Sequence, residues 1–445
     1  MGFEMNRLTH KIAFNTLIQI VAKILITAIN LVTTALLTRY LGPASYGDYL
    51  IAIGFITIFN TSADWGTTLI TVREASQNQH HQSQIIGNSF ILRNTLALVS
   101  LLAALLVAVN SPYNQSLKFL TLIASFAIIS LSLKTSFYII FQVKLKFQNW
   151  AASEITSAAA NLFLCSFFIV SRLPLVFFIL ALIVSHSLAA VTAALLSRRL
   201  ISLNLSPSSK ILKRLFQECL PMGAILFLYS LYITVDKFIL RALGYTAAVG
   251  LYGLAYRIRD VSVQPAAYFM NTLLPILSAK AKVNFYSDFK IFYQKALDIL
   301  IIMGLGLFLF FFLFSHPIFL LLGGSKFAVS SQTLRLISFS IFISFLNHLT
   351  GYSLISLGKQ TAALKINLFT VFLNIFLNLI LIPRFSYLAA IFNLTLTEFL
   401  NFIFTSFIIY QKTQIIPSFV SFPKTALLLF QKYAKITKFF NLKLK

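Results

Sequence analysis

Residues 39–52 read "RYLGPASYGDYLIA", and residues 241–255 nearly repeat them as "RALGYTAAVGLYGLA". Arg39 aligns with Arg241, Leu41 with Leu243 and Gly42 with Gly244; after one inserted residue, Gly47 meets Gly250, Tyr49 meets Tyr252 and Ala52 meets Ala255. What surrounds each copy decides whether the echo reports architecture or chance. The 445-residue chain is 58% hydrophobic and 11% charged, with a mean hydropathy of +0.85. Soluble proteins carry about a quarter charged residues, so this is the composition of an integral membrane protein.

A helix needs about 20 predominantly apolar residues to cross the hydrocarbon core. About twelve segments qualify: 12–38, 46–71, 87–109, 118–141, 151–171, 174–197, 218–240, 249–277, 297–322, 332–357, 361–382 and 386–410. Long apolar runs, rather than short alternating ones, exclude a membrane barrel. The first segment is too long for the apolar region of a signal peptide and no small-residue cleavage site follows, so it is expected to remain as a spanning helix. The longest connection inside the membrane domain, 199–217, is basic and contains Ser-Pro-Ser-Ser, with six spans on either side. Each copy of the repeated stretch lies between the first and second span of its half. The expected fold is an all-α membrane protein of two six-helix bundles, 1–198 and 218–411, related by an internal parallel repeat. Residues 412–445 read as a basic amphipathic tail on the anionic inner leaflet.

The net charge of +25 sits between apolar segments and therefore indicates bilayer topology and anionic headgroups rather than nucleic acid. With the N-terminus placed in the cytoplasm, the outer loops hold only Arg39, Lys118, Arg172, Arg241, Lys326 and Arg384. The opposite orientation would break the positive-inside rule, so both termini are expected in the cytoplasm. Cys165 and Cys219 form neither a disulfide framework nor a metal cluster.

Several spans carry polar residues at helical spacing. The first has Asn15, Gln19, Lys23, Thr27 and Asn30; the second Asn60 and Asp64; the seventh Lys237 and Arg241; the eighth Arg257, Asp260, Gln264 and Asn271. A charge at mid-bilayer costs about 2.5–3.5 kcal/mol even on the mildest scale. Charged stripes on four helices therefore imply a watered central cavity. Lys23, Lys237, Arg241, Arg257 and Arg259 are its expected cationic set, with Asn15, Gln19, Asn30, Asn60, Gln264 and Asn271 as polar lining. The acids within spans include Asp64, Glu154, Asp260 and Glu398, candidates for a coupling ion; Asp64 and Glu398 have no local partner in the sequence. The competing reading is that such acids are structural ion pairs, and that the Asn/Thr stripe of the eleventh span (Asn367, Thr370, Asn374, Asn378) bonds between helices. His186 is expected to be a packing residue. A basic cavity implies an anionic cargo.

The stretches "LTRYLGPASYGDYL", "YITVDKFILRALGYTAAVGLYGLAYRI" and "INLFTVFLNIFLNLILIPRF" resemble, in order and at the same topology, bacterial polysaccharide flippases of the Wzx/PST type within the MATE-like (MOP) superfamily. The resemblance implies two bundles around a cationic cavity and transfer of polyprenyl-diphosphate-linked oligosaccharide, as in O-antigen and lipopolysaccharide biosynthesis, from the inner to the outer leaflet of a bacterial plasma membrane. It also implies alternating access, no cofactor beyond a coupling proton or sodium ion, and polysaccharide polymerase or ligase machinery as partners beside the membrane lipids. Two rivals share parts of this reading. A multidrug-type antiporter has the same fold but handles cations, which a basic lining disfavours. A membrane-embedded polymerase or ligase would need a sizeable outer loop, and the outer connections are short; no nucleophile–base pair or metal cluster marks an enzyme.

Overall fold

In the computed structural model, residues 2–201, 204–281, 287–328, 330–416 and 418 are described, with the side chains of 2–17, 79 and 287 outside the description. Asn15 and the tail beyond Ser418 therefore lie outside the described residues. The helices are α1 (Gly2–Asp64), α2 (Thr67–Gln77), α3 (Gln82–Asn110), α4 (Gln115–Ser125), α5 (Ala127–Val143), α6 (Phe147–Val170), α7 (Leu175–Ser197), α8 (Ser209–Tyr232), α9 (Val235–Ala242), α10 (Thr246–Ala281), α11 (Ser287–Gly323), α12 (Ser325–Ala328), α13 (Ser331–Ser356) and α14 (Gln360–Thr413). No strand occurs among the described residues. In a bilayer every backbone polar group must be satisfied within the chain, and helices do this segment by segment.

Every apolar segment read from the sequence falls on helix. The protein is thus a multi-pass membrane protein of the expected class. The breaks between passes are tighter than the sequence announces. α1 turns at Gly42 (φ 70°), directly before Pro43, and α14 at Ser386 (φ 53°), three residues after Pro383. α14 is a hairpin: Asn401 donates to Asn367 across it at 2.7 Å. α10, the helix that bears Arg257, Arg259 and Asp260, is less apolar than the other long helices.

The described chain divides into two compact units, Met1–Gly250 with Leu321–Lys326, and Leu251–Leu320 with Phe327–Lys445. In the first, Ala63, Ala97, Ala104 and Ala108 bring α1 and α3 together with Phe55 and Ile128. Ala22 and Ile26 of α1 meet Ala151 and Ala158 of α6. Small residues at such contacts let helix backbones approach closely, which is the main source of packing energy where lipid removes the hydrophobic drive. In the second unit, the Asn stripe of α14 is consumed internally. Asn378 donates to Asn374 at 2.9 Å and Asn393 to Asn378 at 2.8 Å, while Asn374 reaches Thr397 at 3.4 Å. The interhelical reading of that stripe is the one the structure adopts.

Candidate functional site

The two copies of the repeated motif meet each other. A Cβ built on Gly47 would strike the Thr246 carbonyl and the Gly250 nitrogen, and one on Gly250 would strike the Pro43 carbonyl and the Gly47 nitrogen. The glycines recur because each is the other's contact surface. Beside this crossing, Arg241 Nε donates to Asp48 at 2.7 Å, and its guanidinium stands 5.9 Å from the centre of the Tyr113 ring. Burial pushes the Tyr113 phenol up to about 12 although Arg241 pulls it down, so Tyr113 stays neutral and Asp48 is the anion that Arg241 holds. An Asp48→Lys variant should lower the thermal midpoint of the purified protein by opposing two cations here, and the double change Asp48→Lys with Arg241→Asp should recover most of the loss. Thermal unfolding of the two variants beside the wild type measures both.

At the break after α1, Trp65 has φ 40° and Gly66 φ 81°. A bulky residue in the left-handed region is uncommon and needs surrounding structure to hold it. Asp64 does this: it accepts the backbone N–H of Thr68 at 3.2 Å and the hydroxyls of Thr67 and Thr68 at 3.0 and 2.8 Å. Arg93, 1% exposed, donates to the same carboxylate at 2.6 Å and to Thr68 Oγ1 at 2.6 Å. Asp64 therefore has a partner, 29 residues away, that inspection of its own helix could not supply. Arg93 was legible as the lone base inside the third apolar segment, yet nothing in the sequence pointed it at Asp64.

Three further predicted residues of this unit are also paired. Lys237 lies 3.3 Å from Asp236 and donates to the Ile233 carbonyl at 2.7 Å. Glu154 accepts from Lys134 at 3.0 Å. His186 Nδ1 shares a 3.2 Å hydrogen bond with Ser157, as a packing histidine would. Between α2 and α8, Arg214 donates to Glu74 at 2.7 Å, and Arg73 bonds both Glu74 and Glu218. Gln19, Asn30 and Asn60 are half-buried on α1, and Lys23 is exposed and makes no ion pair among the described residues.

In the second unit Arg259 is the hub. Its Nε donates to Ser340 at 2.9 Å and its Nη2 to Ser344 at 2.7 Å. The same nitrogen pairs with Glu398, and Nη1 lies 3.5 Å from Asp260. Glu398 also accepts from Ser344 and Asn347. Glu398, like Asp64, is thus bound to an arginine of a distant helix. Arg257, two residues earlier, is exposed and makes no ion pair among the described residues. It does not reach Asp260, which sits with Arg259 instead. Gln264 is exposed, and exposed Asn271 accepts from the Tyr352 hydroxyl at 2.9 Å. The expected cationic set therefore separates into three bases held by acids (Lys237, Arg241, Arg259) and two that are not (Lys23, Arg257).

Residues 12–281 match the family described as "Polysaccharide biosynthesis protein", and residues 221–380 match the MatE family. Among solved structures, an inward-facing multidrug resistance MATE family transporter of the MOP superfamily is 16% identical, with a TM-score of 0.72 over 87% of this chain and 96% of that one. The lipid II flippase MurJ in an inward closed conformation is 15% identical, with a TM-score of 0.72 over 94% of this chain and 93% of that one. A MOP superfamily transporter from Pyrococcus furiosus, described as having a binding pocket of reversed polarity, is 14% identical, with a TM-score of 0.56 over 89% of this chain and 94% of that one. Comparison with curated protein sequences returns no match. At these identities the likeness is one of fold: that of the MOP-superfamily transporters and flippases.

Proposed function

The chain belongs to the polysaccharide biosynthesis protein family, and from that premise we propose that it flips polyprenyl-diphosphate-linked oligosaccharide from the inner to the outer leaflet of a bacterial plasma membrane. The fold alone does not choose between this cargo and a multidrug one, since both solved relatives match with the same TM-score of 0.72. The charge balance favours the anionic cargo. Asp64, Glu154, Asp236, Asp260 and Glu398, the acids deep within the spans, all stand in ion pairs with Arg93, Lys134, Lys237 and Arg259. Among the described residues Lys23 and Arg257 make no such pair, nor do Arg335 and Lys365 near the starts of their helices, while Asp298 at the start of its span accepts from Gln294, so the surplus charge inside the helices is positive. Uncompensated charge at membrane depth is expensive, and an anionic headgroup is what would neutralise it.

In this reading Lys23 in the first unit and Arg257 in the second are each a base offered to the anionic headgroup along its path, and exposed Gln264 and Asn271 are offered to sugar hydroxyls. No bond is made or broken in the cargo, so no nucleophile or cofactor is required. Coupling to a proton or sodium ion would act through the acid pairs: a proton arriving at Glu398 or Glu154 frees Arg259 or Lys134 to seek another anion. Both termini lie in the cytoplasm by the distribution of Lys and Arg between loops. Polymerase or ligase machinery would take up the product on the outer face.

Deleting the gene should make oligosaccharide-diphosphate-lipid accumulate on the inner leaflet while surface polysaccharide falls. The wild-type gene should restore export, whereas Lys23→Ala and Arg257→Ala should each lose most of it at normal membrane levels. Normal export in both variants would remove these bases from the cargo path. An unchanged lipid-linked pool in the deletion strain would overturn the cargo itself.

A further inference from the structure

The internal repeat counts α8 and α9 as the first span of the second half, yet the first unit, Met1–Gly250, contains them. The buried residues of α8 are Leu215, Cys219, Gly223 and Ser230, which fall on one helical face. That face is spent on the first unit, where α8 packs on α1, α2 and α3. The seam is tied at both ends and between them. At one end Arg214 donates to Glu74 at 2.7 Å, and Arg73 bonds both Glu74 and Glu218. Next, a Cβ built on Gly223 would strike the Trp65 ring, and one on Gly66 would crowd Met222 and the Gly223 nitrogen. Further along, the Phe238 ring of α9 lies against Gly54. At the other end Arg241 holds Asp48 at 2.7 Å. At 1.5 Å per helical residue the run from Arg214 to Arg241 covers about 40 Å, which is the thickness of a bilayer with its headgroups.

The connection that leads into α8 is tied down as well. The Asn204 N–H donates to Ser83 at 3.2 Å, the Ser208 N–H donates to buried Asn88 at 2.8 Å, and Asn88 donates in turn to the Ser206 carbonyl at 3.3 Å. A Cβ on Gly87 would strike the Asn204 carbonyl, so this segment lies directly on the α3 backbone. A joint between moving bodies is ordinarily exposed, flexible chain that few contacts cross, and residues 204–208 are bonded instead. We infer that α8 and α9 move with the first unit, so that the first seven of the segments read from the sequence form one moving body, where the repeat alone suggests six. An exposed ion pair by itself is a weak tie. Parting α8 from α2 would break the ties at both ends together and uncover the buried face of α8. The seam therefore stays shut during transport, whatever the chain carries.

The first test combines Glu74→Cys with Arg214→Cys in a chain carrying Cys165→Ala and Cys219→Ala, and joins the new thiols in cells with a short bis-methanethiosulfonate. Surface polysaccharide should stay within twofold of its level before cross-linking. A fall of at least tenfold, reversed by dithiothreitol, overturns the inference. The second measurement leaves every contact of the seam in place. In Cys165→Ala the native Cys219 is the remaining thiol; it is 1% exposed and lies one turn before Gly223 on the buried face. N-ethylmaleimide, which needs an accessible thiolate, should modify less than a tenth of it in exporting cells and all of it after denaturation in dodecyl sulfate. Modification that rises above half during export overturns the inference, because the seam would then open in each cycle. This labelling decides the question if the double-cysteine chain fails to insert. If deletion of the gene leaves surface polysaccharide unchanged, the flippase reading falls alone, and protection of Cys219 still upholds the closed seam.

Discussion

Gly250→Ala should be among the most damaging single substitutions in the protein despite adding only one methyl group. That methyl would occupy the space of the Pro43 carbonyl, and the obstacle is backbone rather than a side chain that could rotate away. Overpacking commonly costs about 1–3 kcal/mol, and a rigid obstacle places this case at the upper end, about 3 kcal/mol. Gly47→Ala should cost as much, because its methyl meets the Thr246 carbonyl. The double variant should cost less than the sum, since one separation of the two backbones accommodates both methyls. Gly306→Ala and Gly351→Ala are the controls: nothing lies within 4 Å of either added Cβ, and alanine is the better helix former. Thermal midpoints of the purified protein, read with its elution profile, check all five variants. Equal midpoints for Gly250→Ala and Gly306→Ala would refute the close crossing.

The second large effect is expected at Arg93. Removing one member of a buried ion pair leaves the other charge uncompensated, at a cost of about 3–5 kcal/mol. Arg93→Leu should fall in that range and melt the protein well below the wild type. Adding Asp64→Asn should recover a large part of the loss, because asparagine can still accept from Thr68 while no bare charge remains. Lys23→Ala should leave the midpoint unchanged, since that side chain is exposed and holds nothing. A variant with poor stability and one with poor export thus separate two classes of basic residue that composition cannot tell apart.

That separation marks where the sequence stops being readable. Asp64 and Glu398 look alone because their partners, Arg93 and Arg259, lie 29 and 139 residues away. Asp48 and Arg241 are 193 residues apart and sit in the two copies of one motif, yet the motif does not say that its copies touch. The asparagines of α14 were legible as a stripe. That they bond between helices was one of the readings it allowed, but their partners were not legible, because Asn393 and Asn401 lie beyond the break at Ser386. The break at Trp65 was itself hidden inside a continuous apolar segment, whereas that at Ser386 fell where two segments met and only its tightness was new, since neither residue type favours the left-handed backbone it adopts there. Arg93, Ser340 and Ser344 complete charged clusters but carry no pattern that singles them out.

The sequence by itself determined the membrane class, the all-helical fold, the positions of the passes and the positive surplus. Each of these follows from one-dimensional quantities: apolar run length against bilayer thickness, and the count of acids against bases. Only the tertiary structure decided which charges are already neutralised, because in a low-dielectric interior an ion pair depends on contact over a few ångströms. The order of residues along the chain does not contain those distances. Lys23 and Arg257 therefore stand out from Lys237, Arg241 and Arg259 only once the helices are packed.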